Sequence, residues 1–259
     1  MNCKSCDAPL SGPYCSACGQ KTITERLTAK SLLRQAVATI TNIDTGFWYT
    51  TRQLFIAPAT VTQNYIAGAT RNYYHPLRYF LIWMGISALL GITFGLYDAQ
   101  NDNINQSMGL TEDPEALARQ QMLMGYVKNF TNIIPLLIVP FTSLISFWLF
   151  RKKGQNYAEH LVFNTYSFGQ VALIGIPFVL LYSMIPSLIP YVIFISMLVA
   201  SLYYTFTLRA FFQTSWAGSF FRALLINVGG YLLFIFSFAI VTVLVVLVII
   251  GLRLLIPST

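Results

Sequence analysis

Apolar residues run in long, charge-free stretches over the second two-thirds of the chain, and a membrane span needs about 20 of them in a row. Residues 77–97 form the first such run. Residues 133–150 form the second, stopped by Arg151-Lys152-Lys153. The apolar stretch 161–208 is too long for one span. Pro186-Ser-Leu-Ile-Pro190 divides it, because proline disfavours a helix interior and this spacing makes a turn. It therefore predicts a helical hairpin of spans near 161–184 and 188–208. The last run, 223–252, lies between Arg222 and Arg253. Its 30 residues would extend roughly 45 Å as one helix, more than a hydrocarbon core of about 30 Å, which predicts tilting or a break at Gly229-Gly230. The pattern as a whole predicts an all-α multi-pass membrane protein of about five transmembrane helices over residues 77–259.

Residues 24–76 carry a different pattern. Leu33, Ala36, Val37 and Ile40 recur at i, i+3, i+4 and i+7 behind a candidate N-cap at Thr28. Phe47, Trp48, Thr51, Leu54 and Phe55 form a second apolar face, with Tyr49, Arg52 and Gln53 opposite. Pro58 can open a third short helix, closed by Gly68. These helices are too short and polar to span. Amphipathic segments rich in arginine and aromatic residues lie in the headgroup plane, which makes Arg52, Arg71, Arg78 and Trp48 candidate lipid contacts. A small soluble helical subdomain packed on the N-terminal residues is the alternative, since amphipathicity alone does not name the apolar partner.

Composition agrees with the membrane reading. Of 259 residues 56% are hydrophobic and only 10% charged, against about 25% charged in soluble domains. The N-terminus carries no apolar signal segment, so residues 1–23 are expected to stay in the cytoplasm. The net charge of +7 is mostly topological. Thirteen of the 16 Lys and Arg residues fall before the first span, in 151–160 or in 209–222, and only Arg119, Lys128 and Arg253 fall in the other loops. The positive-inside rule then places the N-terminus in the cytoplasm. An odd number of spans puts the C-terminus outside.

The most specific motif is Cys3-x2-Cys6, eight residues, then Cys15-x2-Cys18; the chain has four cysteines in all. Each two-residue spacing lets a tight turn aim two thiolates at one metal, and two turns complete a tetrahedral four-sulfur site. A reducing compartment argues against disulfides, and no α/β domain surrounds the pairs as a thioredoxin-like site would need. A rubredoxin-like iron site shares the ligands, but an eight-residue loop is too short to lay an aromatic core over the metal. The expectation is one structural Zn2+ that supplies the folding energy of a zinc-ribbon-like head spanning 1–23.

These blocks together resemble an uncharacterised family of bacterial membrane proteins, domain of unknown function 3667. The matching residues are Cys3, Cys6, Cys15, Cys18-Gly19-Gln20, Pro58, Tyr65-Ile66-Ala67-Gly68, Arg71 and Tyr73-Tyr74-His75-Pro76. The resemblance covers residues 1 to about 85. It implies a zinc-ribbon head on a membrane domain in the bacterial inner membrane, and it implies no activity.

Catalytic signals are sparse. His75 adjoins Pro76, and Glu159-His160 opens the third span. If the three met at the surface they would form a small polar site, and no other constellation suggests an acid, base or nucleophile. No ionisable residue lies deep in any span, which argues against an ion pump. Asn164, Gln170, Thr205 and Asn227 are the polar candidates inside the membrane. The expected function is a non-enzymatic adaptor or regulator whose cytoplasmic head binds a cytosolic or membrane protein partner while arginines contact membrane lipid. The alternative is a lipid or small-molecule transporter with the head as a structural cap. Nucleic acid is not expected, because no basic stripe with interleaved aromatics accompanies the cysteines.

Overall fold

A computed structural model describes residues 2–20, 28, 46–107, 114–130 and 133–255. The apolar stripe expected at Leu33, Ala36, Val37 and Ile40 lies outside these residues. Among the described residues, nine α-helices follow in order: α1 (Gly46–Ile56), α2 (Pro58–Ile66), α3 (Pro76–Thr93), α4 (Leu96–Ser107), α5 (Pro114–Phe130), α6 (Ile133–Phe150), α7 (Tyr157–Met184), α8 (Val192–Phe212) and α9 (Trp216–Leu255). Helices α3, α6, α7, α8 and α9 are long and apolar enough to cross a membrane. Their outward faces are largely apolar, as expected of helices whose solvent is lipid, while polar side chains such as Thr142, Ser146, Asn164 and Gln170 lie on buried faces.

Packing makes α7 the hub. It contacts α3, α6 and α8, while α9 closes the circle by packing on α6 and α8. A 3₁₀ turn at Pro186–Tyr191 joins α7 to α8, so the proline pair does divide the long run. The last apolar run takes the unbroken of its two expected forms. Gly229 and Gly230 lie within one 40-residue helix, α9, rather than at a break. That helix is about 60 Å long. The glycine is a contact point: a Cβ on Gly230 would lie 2.8 Å from Thr142 Cα and nearer still to its Cγ2. Only a residue without a side chain lets α9 approach α6 so closely.

The helices at 46–66 form a layer across one end of the bundle. Phe47, Leu54, Val61 and Tyr65 enter the same cluster as Tyr79, Trp83, Val162 and Tyr166 of the spans. Two buried tyrosines tie this layer down: Tyr203 Oη donates to Leu54 O at 3.1 Å, and Tyr166 Oη donates to Tyr74 O. The inward face of α1 is Phe47, Thr50, Thr51 and Leu54. It is rotated from the face expected from the sequence. Trp48 is 67% exposed and Phe55 is 50% exposed, because Thr50 and Thr51 use their hydroxyls locally and so can point inward. Thr51 donates to Phe47 O, and Thr50 Oγ1 accepts from the Tyr74 N–H. Phe47, Thr51 and Leu54 of the expected face do point inward, and Thr50 takes the place expected of the two aromatics.

Candidate metal centre and its docking on the bundle

The four cysteine sulfurs lie within 4.8 Å of one another. Cys3 and Cys18 Sγ are 3.5 Å apart, and Cys6 and Cys15 Sγ are 3.6 Å apart. All four are free thiols. Sulfurs at the vertices of a tetrahedron with metal–sulfur bonds near 2.3 Å are about 3.8 Å apart, so the donor set fits a four-thiolate metal site.

Two like turns build it. Cys3 N–H donates to Ala8 O and Asp7 N–H to Cys3 O; twelve residues later Cys15 N–H donates to Gln20 O and Gly19 N–H to Cys15 O. Asp7 and Gly19 occupy the same left-handed position, with φ of 56° and 70°. The chain therefore repeats one knuckle with a shift of twelve residues. In both, backbone N–H groups point at the first thiol. Those of Ser5 and Cys6 hold the Cys3 thiol below its usual range, and those of Cys18 and Ala17 lower Cys15 to about 7, against the opposing effect of burial. Hydrogen bonds to the anion favour the thiolate that a metal needs.

Ala8 and Gln20 are equivalent positions in the two knuckles, and their side chains have opposite fates. Gln20 is 5% exposed. Its Nε2 donates to Gly68 O and to Thr70 Oγ1, each at 3.1 Å, and its Oε1 accepts from Arg71 N–H at 2.8 Å and from Ser5 Oγ at 3.2 Å. One side chain thus joins the head to a turn 50 residues away. That turn is the C-terminal cap of α2. Ala69 N–H bonds to Asn64 O and Gly68 N–H to Tyr65 O, with Gly68 at φ +100°. This is the Schellman arrangement, in which glycine supplies the left-handed residue. Tyr65 anchors the cap from below, buried edge-on against Tyr166 and His75. The Tyr65-x-x-Gly68 motif is therefore a helix stop that presents a fixed carbonyl to Gln20. Gln20, Ser5 and Thr70 were not assigned a role by sequence reasoning. The adjacency of Gln20 to Cys18-Gly19 was the available signal.

Residues 44–88 match the model of a family described as a protein of unknown function, DUF3667. The chain resembles that family over α1, α2, the junction at 67–75 and most of α3, the stretch on which the head docks. No curated protein and no solved structure matches the chain.

The remaining candidates have separate surroundings. His75 precedes Pro76, the first residue of α3. Both its ring nitrogens are buried without a hydrogen-bond partner, so it bonds neither Glu159 nor His160. Burial, followed by the Arg78 charge, pushes it down to about 4. Glu159 is engaged in a reciprocal capping box with Asn156 at the start of α7. His160 Nδ1 is 2.8 Å from Ser146 Oγ, and its ring stacks on Phe212. Arg52 and Arg71 are exposed. Arg78 lies over the Tyr74 ring at 5.9 Å, and exposed Trp48 meets Trp83 edge-on. Within the spans, Asn164 accepts from Tyr204 Oη, and Gln170 Oε1 accepts from Tyr79 Oη. Thr205 and Asn227 donate to carbonyls of their own helices.

Proposed function

We propose that this chain is a non-enzymatic regulator of the bacterial inner membrane, in which a structural zinc head on the cytoplasmic face acts on the bundle through Gln20. The latch between Gln20 and the Gly68–Arg71 turn supports this reading. It links a metal-dependent fold to the segment that feeds directly into α3. Zinc is the metal best suited to four thiolates with no open position, and one per chain is expected. The distribution of basic residues supports a cytoplasmic N-terminus and, with five spans, an external C-terminus. A cytosolic protein partner would meet the face of the head that carries Tyr14, which is 59% exposed. Arg52, Arg71 and Trp48 are available to anionic lipid.

The test is hydrogen exchange on the full-length protein in detergent. Gln20→Ala is expected to speed exchange of the Ala69 to Tyr74 amides about tenfold, the scale of one or two hydrogen bonds. Chelation of the metal should do the same, with α6 to α9 unaffected. Unchanged exchange at this junction under both treatments overturns the reading. Orientation has its own test in a variant lacking the native cysteines. Ser107→Cys should react with an impermeant thiol reagent in intact cells and Gln155→Cys should not; the reverse labelling overturns the topology. Lipid or small-molecule transport, with the head as a structural cap, is the second reading, favoured by a cavity between the spans.

A further inference from the structure

That cavity has a volume of 580 Å³, within the range of small-molecule sites. It is walled by α3, α7, α8 and α9 and covered by the start of α4 at Leu96, Tyr97 and Gln100. Along α7 it extends from Phe168 to Tyr182, roughly 17 to 38 Å from the helix start at 1.5 Å per residue. It therefore occupies the half of the bundle remote from the head. Ile193 of α8 and Leu232 of α9 belong to its lining and are also exposed. The cavity is thus open sideways, through helices whose outer faces meet hydrocarbon.

Two features of the lining restrict what enters. None of the lining residues is Asp, Glu, Lys, Arg or His. A phosphate or ammonium group drawn inside would lose its water and find no countercharge, at a large free-energy cost. Hydrogen-bonding capacity is nevertheless present. Tyr182 is 2% exposed, and its hydroxyl, beside Ser196 of α8, makes no well-formed hydrogen bond. Ser196 and Gln100 share its end of the cavity wall. A buried hydroxyl this poorly paired is costly, and a ligand hydroxyl placed between Tyr182 and Ser196 would satisfy it.

We propose that the cavity binds an uncharged, hydroxyl-headed lipid of the diacylglycerol type, entering from the bilayer between α8 and α9. Its hydroxyl lies at Tyr182, and a hydrocarbon tail runs past Gly175 and Ala172 toward Phe168. The proposal rests on the cavity alone and is independent of the Gln20 latch, so either can fail without the other.

The test uses the full-length, metal-loaded protein in phosphatidylcholine nanodiscs containing a diazirine-bearing diacylglycerol. Photolabel is expected on α7 and α8 peptides lining the cavity. Unlabelled diacylglycerol should compete, and phosphatidylglycerol with the same chains should not. Gly175→Phe is the blocking variant, because a Cβ at Gly175 meets nothing within 4 Å and the ring would fill open space. It should abolish cavity labelling while leaving the melting temperature unchanged or higher. Ala200→Phe fills the same space from α8 and gives the same reading if the first variant does not fold. Tyr182→Phe should lower the preference for diacylglycerol over phosphatidylglycerol about fivefold, the factor for one hydrogen bond. Undiminished labelling in a folded blocking variant, or equal competition by phosphatidylglycerol, overturns the proposal.

Discussion

Residues 2–20 bury Cys3, Cys15 and Gln20 and little else, whereas the bundle buries Tyr79, Phe80, Phe163, Tyr166, Tyr204, Leu208 and Ile226 almost completely. The head has no apolar core to fold around. Its backbone order comes from four sulfurs and from N–H groups turned toward them. The bundle has two large clusters of aromatic and aliphatic side chains, cross-tied by tyrosine hydroxyls that reach the backbone carbonyls of Leu54 and Tyr74. On the proposed reading, a metal-built unit would be switched by one ligand, while a packed unit fails only by steric or cavity damage. Joining them through Gln20 would, on the proposed reading, let a chemical event at the cysteines reach a segment that the bundle otherwise holds.

The most drastic way to test this contrast is to remove the metal. Structural zinc contributes about 10–16 kcal/mol in small cysteine modules, far more than a segment this size gains from packing. Cys15→Ser, or a strong chelator, should abolish amide protection at Cys3, Asp7, Cys15 and Gly19, read by hydrogen exchange. The melting temperature of the bundle should stay within a few degrees. A bundle that melts together with the head would mean that the two units are one cooperative structure, and the contrast would be lost.

The reciprocal experiment damages the bundle and leaves the head intact. Gly230→Leu forces a side chain onto the Thr142 backbone, which cannot yield as a flexible side chain would. Overpacking costs about 1–3 kcal/mol, so a clear fall in the melting temperature is expected with zinc stoichiometry unchanged. Gly229→Ala is the control: its Cβ meets only Ile145, at an ordinary 3.7 Å, and alanine is the better helix former. It should be neutral or slightly stabilising. Equal effects of the two substitutions would show that the α6–α9 approach is not close.

The same division explains what could be read from the sequence. The four-cysteine cluster was legible because thiol spacing is a local property, and the five long apolar helices were legible because twenty consecutive apolar residues have few other solutions. The junction was not. Gln20 and Gly68 are 48 residues apart, and neither composition nor periodicity pairs them. The inward face of α1 was legible in part for a related reason: Phe47, Thr51 and Leu54 are inward as expected, but Thr50 is polar by type and satisfied by Tyr74 N–H, which only the folded chain supplies. Gly229-Gly230 was ambiguous in principle, since paired glycines mark both breaks and close helix contacts, and the neighbour at Thr142 decides which. The histidines and Glu159 are close to helix starts in sequence, but their rings and carboxylate are used at different places.

The smallest expected effect concerns His75, at the boundary between the two regimes. It sits between the Gly68–Arg71 turn that the head grips and the first residue of α3, with both nitrogens buried. Its folded value of about 4 lies below its ordinary 6.5, because burial disfavours the imidazolium and Arg78 repels it. Protonation is therefore easier in the unfolded chain than in the folded one. Where the unfolded state binds more protons, stability rises with pH. The sign for this lowered histidine is a loss of stability as pH falls from about 6.5 toward 4, with no further loss from this group below that. His75→Gln should flatten that part of the pH profile, measured as the difference in melting temperature between pH 7 and pH 4.5. If the junction is a local unit, hydrogen exchange at Ala69 to Tyr74 should quicken with acid before the spans respond. The metal complicates one reading, since acid also protonates thiolates. The Gln20→Ala variant removes that route, because its junction is already uncoupled from the head. An acid response of the junction that survives Gln20→Ala but disappears in His75→Gln belongs to the histidine. A response lost in Gln20→Ala and kept in His75→Gln belongs to the metal centre, and the boundary would then be controlled wholly from the head.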